Sequence, residues 1–228
     1  MDAIKDWNRK HAWVMVIATI WALLTDFSWM ISLWAMASFG YWIWESRGVL
    51  GQFSPWGGYA NWATAGRVVL LSLISCLVPF LTEFQLFMCI WLPLSLDAVD
   101  GFLARKFNHG SAFGQYFDME ADAFYVLLLS FLLFHLDKVG AWMLLPGVLR
   151  YIYVIVIALL GWQDREIPGS FIAKVIGAGF FIMLPFPLII PTPLGAYVAA
   201  GMTGLLFWSF GLSFFQLWEL GKQKNSNE

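Results

Sequence analysis

The chain has 228 residues, 60% hydrophobic and 12% charged, with 14 tryptophans and a formal net charge of −2. So apolar a composition excludes an ordinary soluble domain, and the near-neutral balance excludes a nucleic-acid surface or a polybasic lipid tether. It predicts an all-α integral membrane protein with one membrane domain, because apolar segments recur along the whole length with only short polar turns between them.

Met1 to Lys10 followed by an apolar run has the charge layout of a signal peptide, but no small-residue cleavage site follows, so the segment is expected to be retained. Residues 12–44 form an apolar stretch broken at Thr25-Asp26-Phe27-Ser28. This predicts an N-terminal hydrophobic hairpin, either re-entrant or made of two short extra helices that span. Six further apolar helices are predicted near 67–81, 86–104, 112–136, 139–161, 170–190 and 194–218, the first being short unless its polar start is counted. The expected organisation is an N-terminal segment over 1–59, a membrane domain over 60–220 and a polar tail over 221–228. Cys76 and Cys89 fall inside apolar spans and read as small packing residues rather than a disulfide or metal site.

Basic residues alternate between the predicted ends. Lys5, Arg9, Lys10, Arg47, Arg67, Arg105, Lys106, Arg165, Lys174, Lys222 and Lys224 share one set, while the other holds Lys138 beside Asp137. Because Lys and Arg in short loops stay cytoplasmic, both termini are expected there, with turns at Thr82-Glu83, Leu136-Asp137-Lys138 and Pro191-Thr192-Pro193 on the far side. Trp42, Trp44, Trp162 and Trp218 near the predicted interfaces read as anchors and core. His11, His109 and His135 at predicted helix ends and loops read as surface residues.

Polar chemistry concentrates in DAVDGFLARKFNHGSAFGQYFDMEAD, residues 97 to 122. On one predicted helix Asp97, Asp100 and Gly101 lie within a narrow face, and on the next Gly114, Asp118 and Asp122 step by four. If the faces meet, four carboxylates converge on one pocket with small residues at its rim. Such a cluster repels itself and needs a cation. With neither histidine nor thiol at the site, an all-oxygen cage favours Mg²⁺ or Mn²⁺, and hard ions held this way usually bind phosphate oxygens too. Two ions would neutralise a pyrophosphate, and a remaining carboxylate could take a proton from an attacking hydroxyl. Glu120, offset by two, lies off that face and reads as a supporting or loop-pairing residue. Arg150, several residues into an apolar helix, is costly unless it meets an anion or a water-filled cavity, snorkels, or neutralises the acidic cluster.

The pattern Asp97-x2-Asp100-Gly101-x2-Ala104-Arg105-x8-Gly114-x3-Asp118-x3-Asp122 resembles the signature of the CDP-alcohol phosphotransferase family, with every fixed position filled at its spacing. Asn61, Thr64 and Arg67 resemble the polar start of that family's first core helix. Arg150 and Lys174 resemble basic positions around its acceptor pocket. The resemblance covers about residues 60 to 218 and implies a six-helix core, a homodimer, and a transferase making phospholipid in the bacterial inner membrane or an equivalent, its site facing the cytoplasm. By that resemblance Asp97, Asp100 and Asp118 bind metal, and Asp122 contributes to the metal site and acts as base. Gly101, Ala104, Arg105 and Gly114 line the nucleotide, with Asn61 and Thr64 beside it. The implied reaction is attack by an acceptor alcohol on a CDP-linked donor, CDP-diacylglycerol before a CDP-headgroup, with release of CMP. Arg150, Arg165 and Lys174 would hold a phosphorylated or carboxylate acceptor. Met119-Glu120-Ala121 between the last two aspartates, Ala123 after them and the sequence around Lys174 depart from the familiar subfamilies, which leaves the acceptor open. An intramembrane Mg-dependent prenyltransferase and a divalent-cation transporter are the alternatives. The first usually carries its aspartate motifs on well-separated helices, and the second needs polar residues across the whole bilayer.

Overall fold

The computed structural model describes residues 2–52, 56–107, 111–162 and 171–226; side chains at 97–107, 171, 217 and 219–226, and that of Asp2, lie outside the description. The described residues are helical and contain no strand. The helices are α1 (Asp2–Thr25), α2 (Trp29–Glu45), the single turn α3 (Arg47–Leu50), α4 (Tyr59–Leu77), α5 (Glu83–Phe107), α6 (Ala112–His135), α7 (Leu144–Leu159), α8 (Phe171–Met183) and α9 (Thr192–Ser226). Helices α4 to α9 are the six expected. The polar start of α4 belongs to the helix, and the interrupted stretch before it forms two helices turned back on each other.

Local chemistry explains the breaks. Asp26 takes the left-handed conformation at φ 61°, which a short polar side chain tolerates, and the chain reverses there between α1 and α2. Thr82 and Gln85 form a reciprocal capping box at the start of α5: the Thr82 N–H donates to Gln85 Oε1 at 2.9 Å, and the Gln85 N–H to Thr82 Oγ1 at 3.3 Å. Ser111 caps α6, accepting from the Gly114 N–H at 3.0 Å.

Helix α6 is the centre. From Ala123 to Leu133 every residue is buried, as expected of a helix that is apolar all round and packed on several sides, here by α4, α7 and α2. Its first half, by contrast, carries Asp118, Glu120 and Asp122. The α1–α2 hairpin docks by an aromatic ladder: Trp7 stacks on Trp42 at 3.9 Å, Trp42 meets Phe113 at 4.3 Å, and Phe39 meets Phe117 edge-on at 5.4 Å. Trp42 is therefore core rather than an interfacial anchor, while Trp44 is exposed. His11 also departs from its expected surface position. It is fully buried, stacked on Trp7, with Nδ1 2.7 Å from Ser38 Oγ.

The outer faces of the bundle expose Leu73, Phe80, Phe84, Leu92, Ile172 and Leu194, an apolar surface suited to lipid rather than water. Tyr59–Phe80, Ala141–Leu159 and Thr192–Gln216 are each long and apolar enough to cross a membrane. Cys76 and Cys89 are free thiols, and Cys76 is exposed on that surface. The turns after α1, α4, α6 and α8 share one end of the bundle, where His135 contacts Asp26 at 2.9 Å and Lys138 pairs with Glu83 at 2.6 Å. The starts of α1, α4 and α6 therefore meet at the opposite end.

Candidate active site

At that opposite end α4 and α6 cross beside the second half of the acidic motif. Arg67, on α4, reaches Asp118 Oδ1 and Asp122 Oδ1 through the same Nη2, each at 2.8 Å. The four-residue step of the two aspartates puts both on one helix face, so one guanidinium can serve both. The arginine side chain is 3% exposed, whereas those of Asp118 and Asp122 are 45% and 34% exposed. The pair of carboxylates is thus held from behind by a buried cation and open in front. The sequence required a cation among these acids. The structure supplies one from the chain itself, in a residue that the sequence marks as a cytoplasmic-end charge and as part of a polar helix start.

Gly114 lies one turn before Asp118 and allows α4 to approach closely. A Cβ there would sit 2.8 Å from Asn61 Oδ1 and 3.2 Å from Ser111 Oγ. The Asn61 amide cannot simply swing away, because its Nδ2 donates to the Gly57 carbonyl at 2.7 Å, and Gly57 itself has φ +80°. Thr64, one turn along α4, is buried and donates to the Ala60 carbonyl at 3.1 Å. Asn61, Thr64, Gly114, Asp118 and Asp122 therefore gather around the α4–α6 crossing. Asp97, Asp100, Gly101, Ala104 and Arg105 are on α5, which packs along α4, but their side chains lie outside the described residues. Arg165 lies outside them altogether.

A second charged pair lies on the other side of α6. Arg150 of α7 donates through Nε and Nη2 to Glu120 Oε1, at 3.2 and 2.8 Å. Glu120 is fully buried and Arg150 is 24% exposed. The i+2 offset correctly removed Glu120 from the aspartate face, but the residue pairs inside the bundle rather than with a loop. Arg150 and Asp122 both line a cavity of about 180 Å³, walled mainly by apolar groups including Gly147, Phe180 and Phe181. Gly147 lets α7 close on α6, since a Cβ there would meet Leu127 Cα and Ser130 Cβ, each at 3.1 Å. Lys174 is exposed on the first turn of α8 and does not line this cavity.

Near the start of α1, Asp6 pairs with Lys10 at 2.6 Å and with Arg9 at 2.7 Å. The hydrogen bond from Lys10 holds the Asp6 carboxyl below its ordinary range, and Asp6 in turn raises the Lys10 ammonium.

These features define a helical membrane protein with open carboxylates at one bundle end and a largely apolar cavity, with Arg150 in its lining, reaching one of them. The family model of the CDP-alcohol phosphatidyltransferases matches residues 58–213, and the chain belongs to that family. It is accordingly a transferase of phospholipid biosynthesis that works from a CDP-alcohol to an alcohol acceptor, in a family that generally depends on a divalent metal. The comparisons with curated proteins and with solved structures each returned no match.

Proposed function

We propose that the protein transfers the phosphatidyl group of CDP-diacylglycerol to an acceptor alcohol, releasing CMP, with Asp97, Asp100, Asp118 and Asp122 holding two Mg²⁺ or Mn²⁺ ions. The observation that carries this reading is the convergence of Asp118 and Asp122 on Arg67, with both carboxylates still open on the side away from the arginine. A hard divalent ion fits such an all-oxygen, partly exposed donor pair. When bound, it would neutralise the pyrophosphate of the donor.

The chain's own residues divide the remaining work. Arg67 fixes the spacing of Asp118 and Asp122 from behind. Asp122, at the edge of the cavity it shares with Arg150, accepts the proton of the acceptor hydroxyl as that oxygen bonds to phosphorus and the bond to CMP breaks. Gly101, Ala104, Arg105 and Gly114, with Asn61 and Thr64, form the nucleotide side. Arg150 lines the acceptor side, and Arg165 and Lys174 are assigned to it from the family pattern, Lys174 from outside the cavity that Arg150 shares with Asp122. The concentration of Lys and Arg toward this end supports a cytoplasmic site with both termini cytoplasmic. The family resemblance assigns the catalytic domain to residues 60–220 and the working unit to a homodimer.

CMP release by the purified protein tests the reading, using CDP-diacylglycerol and Mg²⁺ with serine, glycerol 3-phosphate, inositol, inositol phosphate or phosphatidylglycerol, and EDTA as control. Metal-dependent release with one acceptor establishes the donor and names the product. Release from CDP-choline or CDP-ethanolamine instead would replace the donor assignment, and turnover undiminished in EDTA would remove the metal role.

A further inference from the structure

The N-terminal hairpin lies outside the segment matched by the family, yet it carries an imidazole into contact with the core helices. His11 of α1 is fully buried, and its ring meets that of Tyr151 of α7 edge-on at 5.9 Å. Its two nitrogens are used differently. Nδ1 lies 2.7 Å from Ser38 Oγ, which ties α1 to α2 within the hairpin, whereas Nε2 is buried without a hydrogen-bond partner.

Tyr151 Oη and Glu120 Oε2 share that condition, and both residues are fully buried. Oε2 is left over because both Arg150 bonds end on Oε1. The groups belong together: the ring contact joins His11 to Tyr151, and the Glu120 carboxylate acts electrostatically on both the imidazole and the phenol. Each alone is a costly buried orphan, but their valences complement one another. The phenol donates, the carboxylate oxygen accepts, and Nε2 does either, according to which proton the Ser38 contact leaves on the ring. One enclosed water can join them, accepting from Tyr151 Oη and donating to Glu120 Oε2 with His11 Nε2 as its third partner.

We propose that His11 is a positioning residue of the transferase: with Tyr151 it holds Glu120 Oε2 through an enclosed water, and so fixes the Arg150 guanidinium at the cavity that reaches Asp122. Because both arginine bonds end on one carboxylate oxygen, the hold on the other oxygen decides how the carboxylate is turned and where the guanidinium sits. The hairpin thereby becomes part of the working unit rather than an added anchor. The role of Arg150 toward the acceptor rests on the function proposed above; the link from His11 to Glu120 does not.

The link is read first, without substrate. The full-length protein in detergent is labelled with ¹⁵N-histidine, and the His11 signals are assigned among the three histidines by their loss in His11→Gln. Tyr151→Phe, which keeps the ring and removes the hydroxyl, should move the Nε2 resonance of His11 and leave those of His109 and His135 in place. An unmoved Nε2 overturns the proposal. Two substitutions then separate the nitrogens, with thermal midpoints recorded alongside: His11→Gln carries an amide to the place of Nε2, and His11→Asn to that of Nδ1. With whichever acceptor supports CMP release in the panel above, KM for that acceptor should rise roughly tenfold in His11→Asn while kcat stays within about twofold. His11→Gln should keep a KM near wild type even where losing the Ser38 contact lowers its midpoint. The reverse ranking, or wild-type KM in both variants, overturns the positioning role and leaves the enzyme class standing. A moved Nε2 without CMP release from any CDP-alcohol would do the opposite, upholding the buried link while the transferase reading falls.

Discussion

Helix α6 carries two arginine–carboxylate contacts built in opposite senses. At Arg67 the cation is 3% exposed and its aspartates are 45% and 34% exposed, so negative oxygen faces outward. At Arg150 the carboxylate of Glu120 is fully buried and the arginine is 24% exposed, so positive charge faces outward. Different sides of one stretch of α6 thus present exposed negative oxygen and exposed positive charge, and the cavity touching Asp122 and Arg150 joins them. A bare list of ion pairs would make the two equivalent. Which partner is buried decides what each can bind, because the buried partner is committed to the fold and the exposed one retains valence for a ligand.

The largest expected effect falls on turnover. Asp122→Asn keeps shape and hydrogen bonding but removes the proton acceptor, and CMP release should drop by roughly 10²- to 10⁴-fold. Metal and CDP-lipid binding should survive better than in Asp97→Asn or Asp118→Asn, as read by calorimetry with Mn²⁺. A fully active Asp122→Asn protein would falsify the base assignment.

The two arginines should then part company on stability. Arg150→Gln leaves Glu120 as an uncompensated buried charge and should cost about 3–5 kcal/mol, whether or not metal is present. Arg67→Gln leaves two partly exposed aspartates that water and metal can reach, so about 1.5–3 kcal/mol is expected in EDTA. Added Mg²⁺ should restore part of the Arg67→Gln loss and none of the Arg150→Gln loss. Equal rescue of both, measured by denaturation in detergent with and without Mg²⁺, would erase the distinction. The double variant Glu120→Leu/Arg150→Met should be closer to wild-type stability than Arg150→Gln.

Gly147→Ala should follow at about 1–3 kcal/mol. The added methyl would press on Leu127 Cα and Ser130 Cβ at 3.1 Å, and a backbone atom cannot rotate aside. Because Gly147 stands one turn before Arg150 and lines the same cavity, α7 should shift and KM for the acceptor should rise more than kcat falls. An unchanged KM would detach the α6–α7 spacing from acceptor binding.

Much of this architecture is legible in the sequence because it is periodic or local. Apolar run lengths mark six helices, Thr25-Asp26-Phe27-Ser28 marks the hairpin turn, and the four-residue step of Gly114, Asp118 and Asp122 marks one face. The ion pairs are not local. Arg67 lies 51 residues from Asp118 and Arg150 lies 30 residues from Glu120, and no periodicity reports which basic residue meets which acid. The costly position of Arg150 in an apolar helix and the offset of Glu120 were the available signals, and each needed the other to be read. The burial of His11 and Trp42 was hidden for a related reason. His11 meets Tyr151 of α7 and Trp42 meets Phe113 of α6 only because the hairpin folds back, and next to charged helix ends their residue types suit an interface equally well.

The smallest effect serves as the control for both arginine sites. Lys138 and Glu83 pair at 2.6 Å at the far end of the bundle, with Lys138 14% and Glu83 54% exposed. A pair so open on one side contributes about 0.2–1 kcal/mol, weakened further by salt. Lys138→Met should lower the midpoint slightly at low ionic strength and leave CMP release and metal response at wild-type values. If it instead reduced turnover as Asp122→Asn does, the two ends of the bundle would be coupled, and the separation of chemistry from scaffold along α6 would have to be abandoned.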